Sequence, residues 1–209
     1  MIEKLEQLAA NESSAWLELF YEDQETFSKE FAAFVDANPS EAEAYLLKQD
    51  VVLFGVFMIA FEAISRFSDH PEVLLPAAKK VLDFSYGKEE DDLYILEVLD
   101  DIDTIELFER NPAIYIQYLD LLCSRLVPEK EPQYLLKLLY VFDMAFVLPE
   151  TASENQFMRK KWFDTIADLA NYAPLKVKIA ARKSLAGNKQ KRDLQPLSLV
   201  EKIRALTGL

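Results

Sequence analysis

The chain has 209 residues, 51% of them hydrophobic and 28% charged, with a formal net charge of −13. That length and balance suit a folded core and argue against a disordered chain. Only 4 glycines and 1 cysteine are present, which disfavours turn-rich sheets, excludes an intramolecular disulfide and suits a reducing, cytoplasmic setting.

Apolar residues recur at three- and four-residue spacing along most of the chain. Met1 to Glu6 lack a basic start followed by an apolar run, so no secretory signal is expected. Helices are predicted over 2–10, 13–22, 25–37 and 40–48. In the third, Phe27, Phe31, Phe34 and Val35 fall at i, i+4, i+7 and i+8, one stripe of a helix. Pro39 follows Asn38, a pairing that suits a helix start with Asn at the N-cap and Pro in the first turn. Asn111-Pro112 repeats it.

The next predicted helix, 50–68, holds the most apolar stretch, Val51 to Phe61. It is far short of the ~20 residues that cross a bilayer, so a buried core helix is the reading and no membrane contact is expected. Further helices are predicted over 72–86, 89–99, 102–109, 112–127, 132–147, 154–172, 175–186 and 197–206. The fold class is all-α: stacked antiparallel helical hairpins, forming either an α-solenoid or an irregular α-helical bundle. A single α-helical domain is expected over 1–186. A polar linker follows over 187–196, and an amphipathic helix over 197–209 with Leu199, Ile203 and Leu206 on one face.

Two hairpins echo each other. Pro71 is followed after five residues by Ala77-Ala78-Lys79-Lys80-Val81-Leu82, and Pro174 by Ala180-Ala181-Arg182-Lys183-Ser184-Leu185. The small Ala pair lets a neighbouring helix come close while the Leu fills the seam, and such a unit must stack on neighbours to bury its apolar face. Pro174 to Leu185 resembles the turn and second helix of a HEAT or armadillo-type repeat, and Pro71 to Leu82 resembles it more loosely. The likeness covers residues 56–86 and 159–186; residues 88–150 show no regular period. It implies a curved stack of antiparallel helices with a binding surface, and it implies no reaction.

Residues that carry chemistry are few. His70 is the one histidine, which excludes multi-histidine metal sites, and Asp69-His70-Pro71 reads as a turn. Cys123 lies in an apolar helical run, where an inert buried thiol is expected. Gly55, Gly87, Gly187 and Gly208 stand too far apart to build a phosphate-cradling loop. The carboxylates Glu89, Glu90, Asp91, Asp92, Asp100, Asp101 and Asp103 lack the central Gly and spaced ladder of a calcium loop. No metal, cofactor or catalytic residue is therefore expected.

Charge is unevenly spread. Residues 1–158 hold 11 Lys and Arg against 32 Asp and Glu (net −21), whereas residues 159–209 hold 12 against 4 (net +8). The leading functional reading is a non-catalytic protein-interaction module, in its concrete form an acidic inhibitor or immunity-type protein covering a basic partner such as a nuclease toxin. Glu89 to Asp92, Asp100, Asp101 and Asp103 are its expected contact surface. Lys176, Lys178, Arg182, Lys183, Lys189, Lys191 and Arg192 form a second, basic surface. The alternative is nucleic-acid binding or processing through that face of a HEAT-like fold, against which stand the acidic remainder and a tract without aromatic residues for stacking. A third reading is an assembly subunit whose basic tail docks on the acidic body of the next copy.

Overall fold

The structure, a computed structural model, describes residues 1–3, 24–51, 54–86, 90–146 and 156–207, with the backbone alone for Phe54 and Glu90 to Asp92. Most of the helices expected over 2–10 and 13–22 lie outside the described residues. The protein is all-α, and no strand occurs among the described residues.

The chain divides into two compact units, Met1–Tyr118 and Leu119–Leu209. The first contains α1 (Gln24–Ala37), α2 (Pro39–Lys48), α3 (Phe54–Phe67) and a short 3₁₀ turn (Pro71–Val73). After these come α4 (Leu74–Ser85), a 3₁₀ segment (Glu90–Asp101) and α5 (Thr104–Arg110). α6 (Pro112–Cys123) runs across the division, and the second unit continues with α7 (Pro132–Ala145), α8 (Gln156–Tyr172), α9 (Leu175–Gly187) and α10 (Leu199–Thr207).

In the first unit α3 is the central element, packed against α1, the 3₁₀ segment and α5. Its sequence is apolar nearly all round, as burial on several sides requires, and Val56, Phe57, Ile59, Ala60, Phe61, Ala63 and Ile64 are buried. The stripe expected on α1 faces inward through Phe31 and Val35, both fully buried. Asn38 stands before α2 and its carbonyl accepts the Ala42 N–H at 3.0 Å, but its side chain makes no capping bond. Asp103 does cap, its Oδ1 accepting the Glu106 N–H at 3.0 Å at the start of α5.

Cations from neighbouring elements close three helix C-termini, where carbonyls lack partners and the helix dipole is negative. Lys80 of α4 donates to the carbonyls of Leu46, Leu47 and Gln49 at the end of α2. Arg110 donates to Arg66 O at 2.5 Å at the end of α3. In the second unit Arg182 of α9 donates to Ala170 O at 3.0 Å in the last turn of α8.

The core of the second unit is aromatic. Phe142, Phe146, Trp162 and Phe163 meet edge-on or stacked, with centroids 5.0–6.4 Å apart. The Arg159 guanidinium lies 4.8 Å from the Phe146 ring centroid. α9 packs against α8, α7 and α10. Ala78 of α4 and Ala181 of α9, equivalent in the repeated motif, are both fully buried. The basic residues of the motif differ in use: Lys79 pairs with Asp83 in the first unit, while Arg182 caps α8 in the second.

Candidate functional site

Between Glu90 and Asp101 the backbone is 3₁₀, although the spacing predicted an α-helix over 89–99. A 3₁₀ helix has three residues per turn, so side chains at i and i+3 line up one above the next. Leu93, Ile95, Leu96, Val98 and Leu99 are buried, packed toward α3 and α4. Tyr94, Glu97 and Asp100 are exposed. Three consecutive turns thus present one straight rib, Tyr94–Glu97–Asp100, stepping about 6 Å per turn and running about 12 Å in all at the usual 3₁₀ rise. The rib pairs an aromatic ring with two carboxylates above a buried apolar side.

The seven acidic residues singled out from the sequence do not form one surface. Asp100 stands on the rib. Asp101 is half-buried beside it, and burial first, then the charges of Glu62 and Asp100, pushes its pKa up to about 7. Asp103 is taken up within the fold: besides capping α5 it lies 3.6 Å from the Arg66 Nε, and its backbone N–H donates to Ser65 Oγ at 2.9 Å. Arg66 also binds Glu62 at 2.8 Å, and Glu62 accepts from Gln24 Nε2 at 2.5 Å. Glu90, Asp91 and Asp92 form the first turn of the 3₁₀ segment; Glu89 and the side chains of the other three lie outside the described residues. Tyr94 and Glu97 were not among the sequence candidates. Their signal was the period itself, a non-aliphatic residue at 94, 97 and 100 separated by the pairs Ile95-Leu96 and Val98-Leu99.

The basic set also divides. Lys178 Nζ bridges to Glu201 Oε1 of α10 at 2.9 Å. Arg182 donates to Ala170 O and, at 2.6 Å, to Gln195 O. Arg192 Nε bridges to Asp164 Oδ1 at 2.8 Å. These three hold the unit together, and Arg182 and Arg192 tie the segment expected as a polar linker, 187–196, across α8 and α9. Gln195 N–H adds a bond to Asn171 Oδ1 at 2.9 Å. Lys176, Lys183, Lys189 and Lys191 remain exposed. Lys189 follows α9 with φ 53°, the left-handed position of a C-terminal helix motif in which Gln190 N–H reaches Leu185 O at 2.8 Å.

α10 begins at a capping box: Glu201 N–H donates to Ser198 Oγ at 3.2 Å and Ser198 N–H to Glu201 Oε2 at 2.8 Å. With Lys178 on its other oxygen, the Glu201 carboxyl is held down to about 2 by the Lys178 hydrogen bond first and the Ser198 bonds next. No side chain of α10 is buried.

Between α7 and α9 lies an open cleft of about 460 Å³, lined by Leu136, Leu139 and Tyr140 on one side and Ala180 and Lys183 on the other. Asp143 reaches into it and accepts from Ser184 Oγ at 2.6 Å. Burial pushes its pKa up, against hydrogen bonds from Ser184 and Asn188.

His70 Nδ1 pairs with Glu72 at 2.8 Å, which raises its pKa at the surface. Cys123 is buried, and that burial pushes its thiol well above the usual range. Among the described residues no three His, Cys, Asp or Glu side chains stand close enough to hold a metal ion. No helix among them is long and apolar enough to cross a membrane. No protein-family model matches the chain, and no curated protein or solved structure matches it.

Proposed function

We propose that the protein acts by binding another protein and not by catalysis, with the Tyr94–Glu97–Asp100 rib as the centre of its acidic contact surface. The supporting observation is the rib itself: one exposed aromatic and two carboxylates in line on a segment whose Leu93, Ile95, Leu96, Val98 and Leu99 side chains are buried. Aromatic residues anchor interfaces through large area at small entropic cost. The carboxylates, within a unit holding 8 Lys and Arg against 26 Asp and Glu, draw in a basic partner and orient it. An immunity-type protein covering a basic toxin has this chemistry. Asp101 and Asp103 lie at the margin of that surface and act through the fold.

The likeness of residues 56–86 and 159–186 to HEAT or armadillo repeats, a class that presents binding surfaces, agrees with this reading. The nucleic-acid reading draws less support, because Lys178, Arg182 and Arg192 are engaged within the second unit.

The test is affinity capture from the source cells with the parent chain and a Tyr94→Ala/Glu97→Lys/Asp100→Lys variant, read by mass spectrometry. A basic protein enriched by the parent and reduced at least about tenfold with the variant is the expected result. An unchanged set of captured proteins would overturn the rib as a contact surface.

A further inference from the structure

α10 is attached to its unit by its polar side. At about 100° per residue, Leu206, Leu199, Ile203 and Val200 cover about 120° of the helix surface, and Glu201 lies nearly opposite. Glu201 is the residue held by Lys178 of α9. The apolar stripe therefore points away from the unit that carries it: Leu199 is 74% exposed, Val200 59%, Ile203 53% and Leu206 88%. An amphipathic helix ordinarily buries this side. Here a capping box and an ion pair hold it the other way round.

The flanks of the stripe identify what covers it. Lys202 borders one edge and Arg204 the other, both exposed. Two copies of α10 laid stripe to stripe would set cation against cation on both flanks, whether parallel or antiparallel, as flanking charges do in paired helices. Glu201, the one acid on the helix, faces the unit and offers no relief. The covering surface must carry acids beside an apolar group. The second unit, with 15 Lys and Arg against 10 Asp and Glu (net +5), adds to that demand, and the first unit, at net −18, meets it. Its rib offers Tyr94 beside Glu97 and Asp100 over about 12 Å, and the stripe from Leu199 to Leu206 spans about 10 Å at the helical rise.

We infer that α10 of one copy docks on the Tyr94–Glu97–Asp100 rib of a second copy. This rests on the rib being a docking surface, and it makes self-association and capture of a basic partner competing states of that surface. Such a contact joins two different faces, so it either closes reciprocally between two copies or builds a larger ring or chain.

Sedimentation velocity of the purified chain in about 20 mM and about 0.5 M salt tests this. The parent should associate at low salt and weaken at least about tenfold at high salt. Two charge-swapped variants, Lys202→Glu/Arg204→Glu and Glu97→Lys/Asp100→Lys, should each lose self-association. Mixed together they should regain it, because each then offers the other a complementary helix and rib. The substituted side chains are exposed, and circular dichroism checks that each variant is folded. A parent that stays monomeric at low salt overturns the inference. So does association that survives the rib substitutions or is not restored by mixing. Cosedimentation of a monomeric parent with phosphatidylserine vesicles, lost in Leu199→Ser/Ile203→Ser, would overturn it in favour of a lipid surface. None of these outcomes depends on a foreign partner, so failure here leaves the capture experiment to judge the rib separately.

Discussion

Trp162 Nε1 donates to Asp120 Oδ1 at 2.7 Å, and the same oxygen receives Lys161 Nζ at 2.9 Å. Trp162 is fully buried, with the Phe146 ring edge-on against it, so its N–H relies on that carboxylate. One carboxylate oxygen thus satisfies the largest buried side chain of the second unit while a lysine balances its charge. Asp120→Ala leaves the indole N–H without an acceptor and should destabilise by about 2 kcal/mol, the usual penalty for an orphaned buried donor. Asp120→Asn keeps an acceptor oxygen and should lose about half as much. Urea unfolding followed through Trp162 fluorescence in a Trp16→Phe background measures both; equal stability of all three proteins would contradict this role.

Lys189 adopts φ 53° at the end of α9, a region that burdens any residue with a Cβ. Lys189→Gly relieves that strain and should stabilise the protein by about 1 kcal/mol. The thermal midpoint should rise, and a fall would show that the Lys189 side chain contributes more than its backbone costs.

Asp101 sets a pH dependence. Its folded pKa of about 7 lies above its ordinary value of 3.8. Between those two values the folded protein keeps a proton that the unfolded chain has released, so stability falls as pH rises through this window and levels off above it. Asp101→Asn removes the dependence and should raise stability relative to the parent more at pH 8 than at pH 5. Chemical denaturation at the two pH values measures it, and a parent–variant difference independent of pH would contradict it.

Cys123 should be nearly inert in the native state, because it is buried and its thiolate is disfavoured. Labelling with iodoacetamide at pH 8 should be at least about a hundredfold slower than in denaturant. Comparable rates would show that the end of α6 is open.

The all-α class was legible from spacing alone, because burial repeats with the helix. Phe31 and Val35 turn inward where the stripe on α1 places them, and Ala78 and Ala181 are buried where the motif calls for small residues. The candidate site was less legible. Local pattern distinguishes a helix from a strand easily, but three residues per turn from 3.6 only over several turns, and the acidic character of 89–103 drew attention to charge in place of period. The caps supplied by Lys80, Arg110 and Arg182 join residues far apart in sequence, so no local signal marks them. The division at Tyr118–Leu119 falls inside α6, with no Pro or Gly between Ala113 and Cys123 to mark it. The inversion of α10 depends on which neighbour binds Glu201, since an amphipathic pattern gives a stripe and leaves open which way it points.

Everything proposed for the acidic face depends on Tyr94, Glu97 and Asp100 sharing one exposed stripe. The direct measurement is a single-cysteine scan of positions 93–101 in a Cys123→Ser background, following the rate of modification by a water-soluble thiol reagent. The structure predicts fast labelling at 94, 97 and 100 and slow labelling at 95, 96, 98 and 99. Fast labelling at 93 or 96, or a maximum that moves from 100 to 101, would mean that the segment winds differently and that the three side chains do not form a rib.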